Sequence, residues 1–188
     1  MDYSDNLILV TGAANSGKSE WAEYLAQNSQ KPLIYIATAQ KNEDDTEWMA
    51  KIKLHQQRRS DLWQTWEVPL DLPTAIVNLP DNHGVLIDSL GTWVANYLTI
   101  EEQVWEQQLQ LFLTNLSQVG GVTAPIIIVA EETGWGVVPA YELGRLFRSR
   151  LGKLTRQVGS IVDRVYLVVG GHAVDVSKIG INLASIES

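Results

Sequence analysis

Apolar residues in this chain fall into short unbroken runs separated by longer stretches with helical spacing. The runs are Leu7–Thr11, Leu33–Ala37, Val85–Asp88, Pro125–Ala130 and Arg164–Val169. Consecutive apolar residues leave no polar face, so each run predicts a strand covered on both sides, as in a parallel sheet. Thr65–Val68 is a weaker strand candidate. Helical patterns occupy about residues 18–28, 43–59, 90–98, 101–118 and 139–159, with Pro139 suited to the first turn of the last. Alternation of strand and helix predicts βαβ units and a doubly wound, mostly parallel α/β sheet flanked by helices. No repeat, low-complexity tract or long linker interrupts the pattern, so residues 1–188 read as one domain. In such sheets ligands bind beyond the carboxyl ends of the strands, which makes every polar residue just after a strand a site candidate.

Composition narrows the function classes. The 188 residues carry a net charge of −8, which argues against nucleic acid as a partner, because gripping its phosphates takes surplus Lys and Arg. There is no Cys, hence no disulfide, thiolate metal site or Cys nucleophile. No apolar run approaches the roughly 20 residues of a membrane span. Met1–Asn6 is acidic and polar, unlike a signal peptide, and the expected location is cytoplasmic.

One motif stands out. Gly12-Ala13-Ala14-Asn15-Ser16-Gly17-Lys18-Ser19 matches G-x-x-x-x-G-K-[ST], the P-loop, without departure. It follows the first predicted strand and opens the first predicted helix, the context that gives the pattern meaning. Loop N–H groups and the helix N-terminus favour a phosphate chain. Lys18 is expected to reach the β/γ-phosphates and the Ser19 hydroxyl to hold Mg2+. The expected fold is therefore of the P-loop NTPase (RecA-like) type. Asp88 ends the run Val85-Leu86-Ile87, where P-loop enzymes place an acid supporting Mg2+. The plainer role, capping the next helix, falls equally well to Ser89.

Residues 43–59 form an unusual helical stretch, acidic first and basic last. Lys51, His55 and Arg59 lie at i, i+4 and i+8 on one face, flanked by Arg58. Neighbouring cations disfavour protonation of His55, which keeps a ring nitrogen free as a nucleophile and leaves the cations for phosphates. A solvated basic face with an incidental His is the alternative. His83 and His172 lack such neighbours and are expected at the surface.

Together these motifs resemble the bifunctional adenosylcobinamide kinase/adenosylcobinamide-phosphate guanylyltransferase family over nearly the whole chain. The resemblance rests on the P-loop, Tyr35-Ile36-Ala37-Thr38-Ala39, Met49-Ala50-Lys51-Ile52 with His55 and Arg59, and Trp63-x-Thr65-x-Glu67-x-Pro69. It continues through Asp88-Ser89-Leu90-Gly91-Thr92-Trp93-Val94-x-Asn96, Glu132-Thr133-Gly134-Trp135-Gly136-Val137-Val138-Pro139 and Val165–Gly171. It implies two steps in cobalamin biosynthesis. The hydroxyl of the aminopropanol arm of adenosylcobinamide takes the γ-phosphoryl of ATP or GTP. GTP then guanylylates a histidine, here His55, and GMP passes to the cobinamide phosphate, giving adenosyl-GDP-cobinamide and pyrophosphate. It also implies guanine-nucleotide contacts from Gln56, Gln57, Arg58, Arg59, Glu67, Ala37, Thr38 and Ala39, and a homotrimer. The chain departs from the family at Asn15, where Arg is common, and at Glu131, where Asn is usual. Trp93 and Trp135, near strand ends, are candidates for stacking on the corrinoid. The competing readings are a simple P-loop kinase of a small metabolite, and a nucleotide-dependent switch that transfers no group; a guanine-reading Asn-Lys-x-Asp string, which would favour the switch, is absent.

Overall fold

The computed structural model describes residues 6–40, 62–119 and 124–186. Seven strands form one sheet in the order β3-β2-β4-β5-β1-β6-β7. They are β1 (Leu7–Gly12), β2 (Leu33–Ala37), β3 (Trp63–Glu67), β4 (Gly84–Asp88), β5 (Ile126–Glu131), β6 (Arg164–Val169) and β7 (His172–Asp175). All neighbours pair in parallel except β7, which returns antiparallel to β6 through Gly170 and Gly171, both at positive φ. The five apolar runs are the central strands, and the weaker sixth candidate is the edge strand β3.

Side-chain alternation divides the core into two layers. Ile8 and Val10 of β1, Leu86 of β4 and Ile127 and Val129 of β5 pack under α1 (Lys18–Gln27) through Ala22, Leu25 and Ala26. Leu9, Ile87, Ile126 and Ile128 face the other way. There they meet α2 (Leu72–Val77), α3 (Leu90–Asn96), α4 (Glu102–Gln118) and α5 (Glu142–Ile161). This second layer is the thicker one and holds Trp93, Trp105 and Phe112, all fully enclosed. Arg150 is buried there too; it donates to the Tyr97 carbonyl at 2.8 Å, pairs with Glu102 and lies over the Trp105 ring. Those partners offset the cost of taking a guanidinium out of water.

Two boundaries differ from the expectation. The last long helix begins at Glu142 rather than near Pro139. Arg145 of its first turn donates to the carbonyls of Pro139 and Ala140, which fixes those residues as a loop below the helix. The short α2 has no counterpart in the sequence reading; its start is set by Asp71, whose side chain accepts from Thr74 N–H at 3.4 Å, with Pro73 in the first turn. The predicted helix over 43–59 lies outside the described residues. A short α6 (Val176–Ile179) follows β7. Among the described residues no helix is long and apolar enough to cross a membrane.

Candidate active site

The strand ends carry the expected residues side by side. Along the sheet edge the register aligns Glu67 with Ala37, and Ala37 with Asp88. Glu131 pairs with Gly12, the first residue of the P-loop. Asp88 shares the side-chain parity of Leu86 and belongs to the α1 face, where the phosphate loop also lies, whereas the Glu131 carboxyl turns toward Ser89 and Gly91 at the start of α3.

The loop owes its shape to its residue types. A Cβ at Gly12 would stand 2.6 Å from both the Val168 carbonyl oxygen and Ser16 Oγ, so only glycine fits there. Asn15 has φ 58, a left-handed conformation that Asn adopts more readily than most residues, which gives that departure a backbone rationale. Gly17, at φ 93, is the N-cap of α1, and no side chain caps the helix. The first-turn N–H groups are thus left open to an anion, with the positive end of the helix behind them. Lys18 Nζ folds back to the Ala13 carbonyl at 3.4 Å, a long contact it can exchange for a phosphate.

Asp88 is held from below: Tyr35 Oη donates to its Oδ2 at 2.9 Å. Helix capping does not fall to it. Ser89 and Thr92 form a complete capping box at the start of α3, so the acid is left for other work. The Asp88–Ser89 peptide is cis. Thr38 fixes this turn: its hydroxyl donates to the Ser89 carbonyl at 2.7 Å and accepts from Ser89 N–H at 2.9 Å. Asn96 in turn donates to the Thr38 carbonyl at 2.7 Å. Thr38 is fully enclosed, and within the structure its side chain positions the turn after Asp88.

Glu131 emerges as a member of the site that sequence reasoning treated only as a departure. Ser89 Oγ donates to its Oε1 at 2.6 Å, while Oε2 is shut off from solvent with no partner. Gly91 makes room for that carboxyl, since a Cβ there would collide with Oε2. Burial and then the nearby Asp88 push the carboxyl above its usual pKa, against the lowering effects of the Ser89 bond and Lys18. The chain signal that could have flagged it is an acid directly after an apolar strand, the reasoning applied to Asp88.

The two tryptophans part company. Trp93 is core, with its Nε1 donating to the Leu70 carbonyl at 2.8 Å, and it offers no face to a ligand. Trp135 is 73% exposed, on a loop whose Gly134 and Gly136 carbonyls accept from Arg148 of α5. His172 lies at the surface and His83 is partly exposed in its turn. Lys51, His55, Gln56, Gln57, Arg58 and Arg59 lie outside the described residues.

A P-loop between a parallel strand and an uncapped helix, with a supported acid on a nearby strand end, defines a nucleotide-binding α/β protein of the P-loop class. Residues 8–176 match the model of the cobinamide kinase / cobinamide phosphate guanyltransferase family, and the chain belongs to that family. It is 34% identical over 184 residues to the bifunctional adenosylcobalamin biosynthesis protein CobU of Escherichia coli K12, covering 90% of this chain and 99% of that one. It is 36% identical over 165 residues to the bifunctional protein CobP of Pseudomonas aeruginosa, covering 87% and 92% respectively. Among solved structures, a Pyrococcus horikoshii OT3 protein (Project ID PH0250) superposes with a TM-score of 0.52 at 10% identity over 92% of this chain and 86% of that one, a likeness of fold alone.

Proposed function

We propose that this protein phosphorylates adenosylcobinamide with ATP or GTP and then transfers GMP from GTP, by way of His55, to the resulting phosphate. The observation that carries the first step is the open N-terminus of α1 with Lys18 beside it, on the same face of the sheet as Asp88. In that step the arm hydroxyl attacks the γ-phosphorus, the bond to the bridging oxygen breaks, and the nucleoside diphosphate leaves with the electron pair. Phosphoryl transfer needs positioning and charge neutralisation more than covalent machinery, and Gly12 to Ser19 with Lys18 supply both.

Mg2+ fits the donors present. Asp88, at the end of β4, and the Ser19 hydroxyl, in the first turn of α1, are oxygen donors. Among the described residues no cluster of three or more His, Cys, Asp or Glu forms a metal cage. Mg2+ is commonly held by one or two carboxylates and by the phosphates of its substrate. Bound there it would neutralise charge on the transferred group.

In the second step a neutral His55 nitrogen attacks the α-phosphorus of GTP and pyrophosphate departs; GMP then passes to the corrinoid phosphate. Arg58, Arg59 and Lys51 supply positive charge for the phosphates. Gln56, Gln57, Glu67 and Ala37 to Ala39 are the guanine-nucleotide contacts. The assembly is a homotrimer and the location cytoplasmic. Incubation with γ-labelled ATP, Mg2+ and adenosylcobinamide tests the first step. Label on the corrinoid supports it; release of label only to water contradicts it.

A further inference from the structure

Helix α5 carries two stripes. Arg150, Leu151, Leu154 and Val158 are buried against the sheet. A second stripe, running from Arg148 through Gly152 and Arg156 to Gly159, lines a cavity of about 640 Å³. Its floor is Leu9, Thr11 and Val165, and its far wall is the C-terminal segment around Ile181 and Leu183. The two glycines make the space. Neither has the positive φ that calls for glycine. A Cβ on Gly152 would meet nothing within 4 Å, and one on Gly159 would meet only Leu9 and Val165 at ordinary contact distance. Each glycine costs a helix interior about 1 kcal/mol relative to Ala, with no turn or close approach to account for it.

The position of the cavity says what it serves. Leu9 and Thr11 face away from α1, so the cavity lies on the opposite side of the sheet from the phosphate loop. Yet its upper end is made by Thr11 and Glu131, the residues that flank Gly12 along β1 and across to β5. The two compartments therefore meet at the same strand tips. Arg148 at the cavity's lip also ties down the loop that presents Trp135 to solvent. The volume is in the range that encloses a large part of a small-molecule ligand. Apolar walls edged by Arg148 and Arg156, by Glu132 and Asp163, and by Asn182 suit a ligand that is apolar in its body and rich in hydrogen-bonding groups at its edge.

We propose that this cavity receives one edge of the phosphoryl acceptor, with the hydroxyl arm of the corrinoid directed to the tips of β1 and β5. The assignment rests on the function proposed above. It gives the C-terminal segment a task as well: residues 177–183 wall the cavity, yet lie past the end of the family match at residue 176.

Gly152→Trp fills the cavity from a position with open space. Ile181→Trp obstructs it from the other wall, at a residue 78% exposed and so tolerant of change. The expected result is a KM for adenosylcobinamide raised at least tenfold in both Trp variants. ATP affinity and self-guanylylation by GTP alone stay within twofold of the wild type. Folded Trp variants with wild-type KM for the corrinoid overturn the cavity assignment alone. A wild-type protein that neither binds nor phosphorylates adenosylcobinamide overturns the functional reading, and the cavity assignment with it.

Discussion

Two helices of this protein begin at the same edge of the sheet and are finished in opposite ways. Helix α3 starts with a capping box in which Ser89 and Thr92 satisfy each other's backbone, and Thr38 and Glu131 bond to Ser89 as well. Helix α1 starts at Gly17 with no side-chain cap. A closed start is scaffold: it fixes the turn that carries Asp88. An open start leaves N–H groups solvated and a positive helix end that favours an anion such as phosphate. The contrast explains how neighbouring strand–helix turns, built from similar small and polar residues, separate positioning from binding.

Substitutions should break this contrast in different currencies. The largest effect belongs to the open end. Lys18→Ala should lower phosphoryl transfer at least about 100-fold, by loss of charge stabilisation in the transition state, in steady-state kinetics with saturating adenosylcobinamide. Its stability should stay within about 0.5 kcal/mol of wild type, because the Lys18 hydrogen bond to the Ala13 carbonyl is long and exposed. Equal loss of stability and activity would remove the distinction. At the closed end, Ser89→Ala should cost about 1–2 kcal/mol, from the lost cap and the lost bond to Glu131. That is a fall in Tm of roughly 2–8 °C by calorimetry, and unchanged Tm would show that the capping box contributes nothing.

The smallest effect is Glu131→Gln, and it depends on pH. The Glu131 pKa is raised in the folded protein, chiefly by burial and by Asp88. Below the usual carboxylate value of 4.5 both states hold the proton and nothing is lost. As pH climbs from there through the folded value, the unfolded chain releases its proton first, and stability falls. Gln removes that loss and can still accept from Ser89. The variant should therefore match wild type near pH 4 in melting experiments without nucleotide, and gain on it toward pH 8. A gain that is equal at both pH values would mean that titration of Glu131 is not the cause.

What could be read from the chain follows the physics of each signal. The central strands were legible because burial on both faces leaves unbroken apolar runs, and the P-loop because its glycines answer local backbone demands. The six-residue α2 was not, since it is too short for a period and Pro73 masks its start. Tyr35 and Glu131 were missed as partners of Asp88 and Ser89 because their contacts depend on β2 and β5 flanking β4, an order that spacing along one chain does not encode. Trp93 and Trp135 look alike in sequence, each near a strand end. One falls on the inward stripe of a helix and the other on a loop held out by Arg148, so only packing separates them.

We propose that the open end of α1, which holds the triphosphate for phosphoryl transfer, also holds GTP while His55 takes the nucleotide. The most direct measurement is incubation of wild type, Lys18→Ala and His55→Ala with Mg2+ and α-labelled GTP, followed by denaturation and mapping of covalent label. The expected product is an acid-labile, alkali-stable phosphoramidate on His55 of the wild type and none on either variant. Label on Lys18→Ala at the wild-type rate, or wild-type label on a residue other than His55, would contradict it.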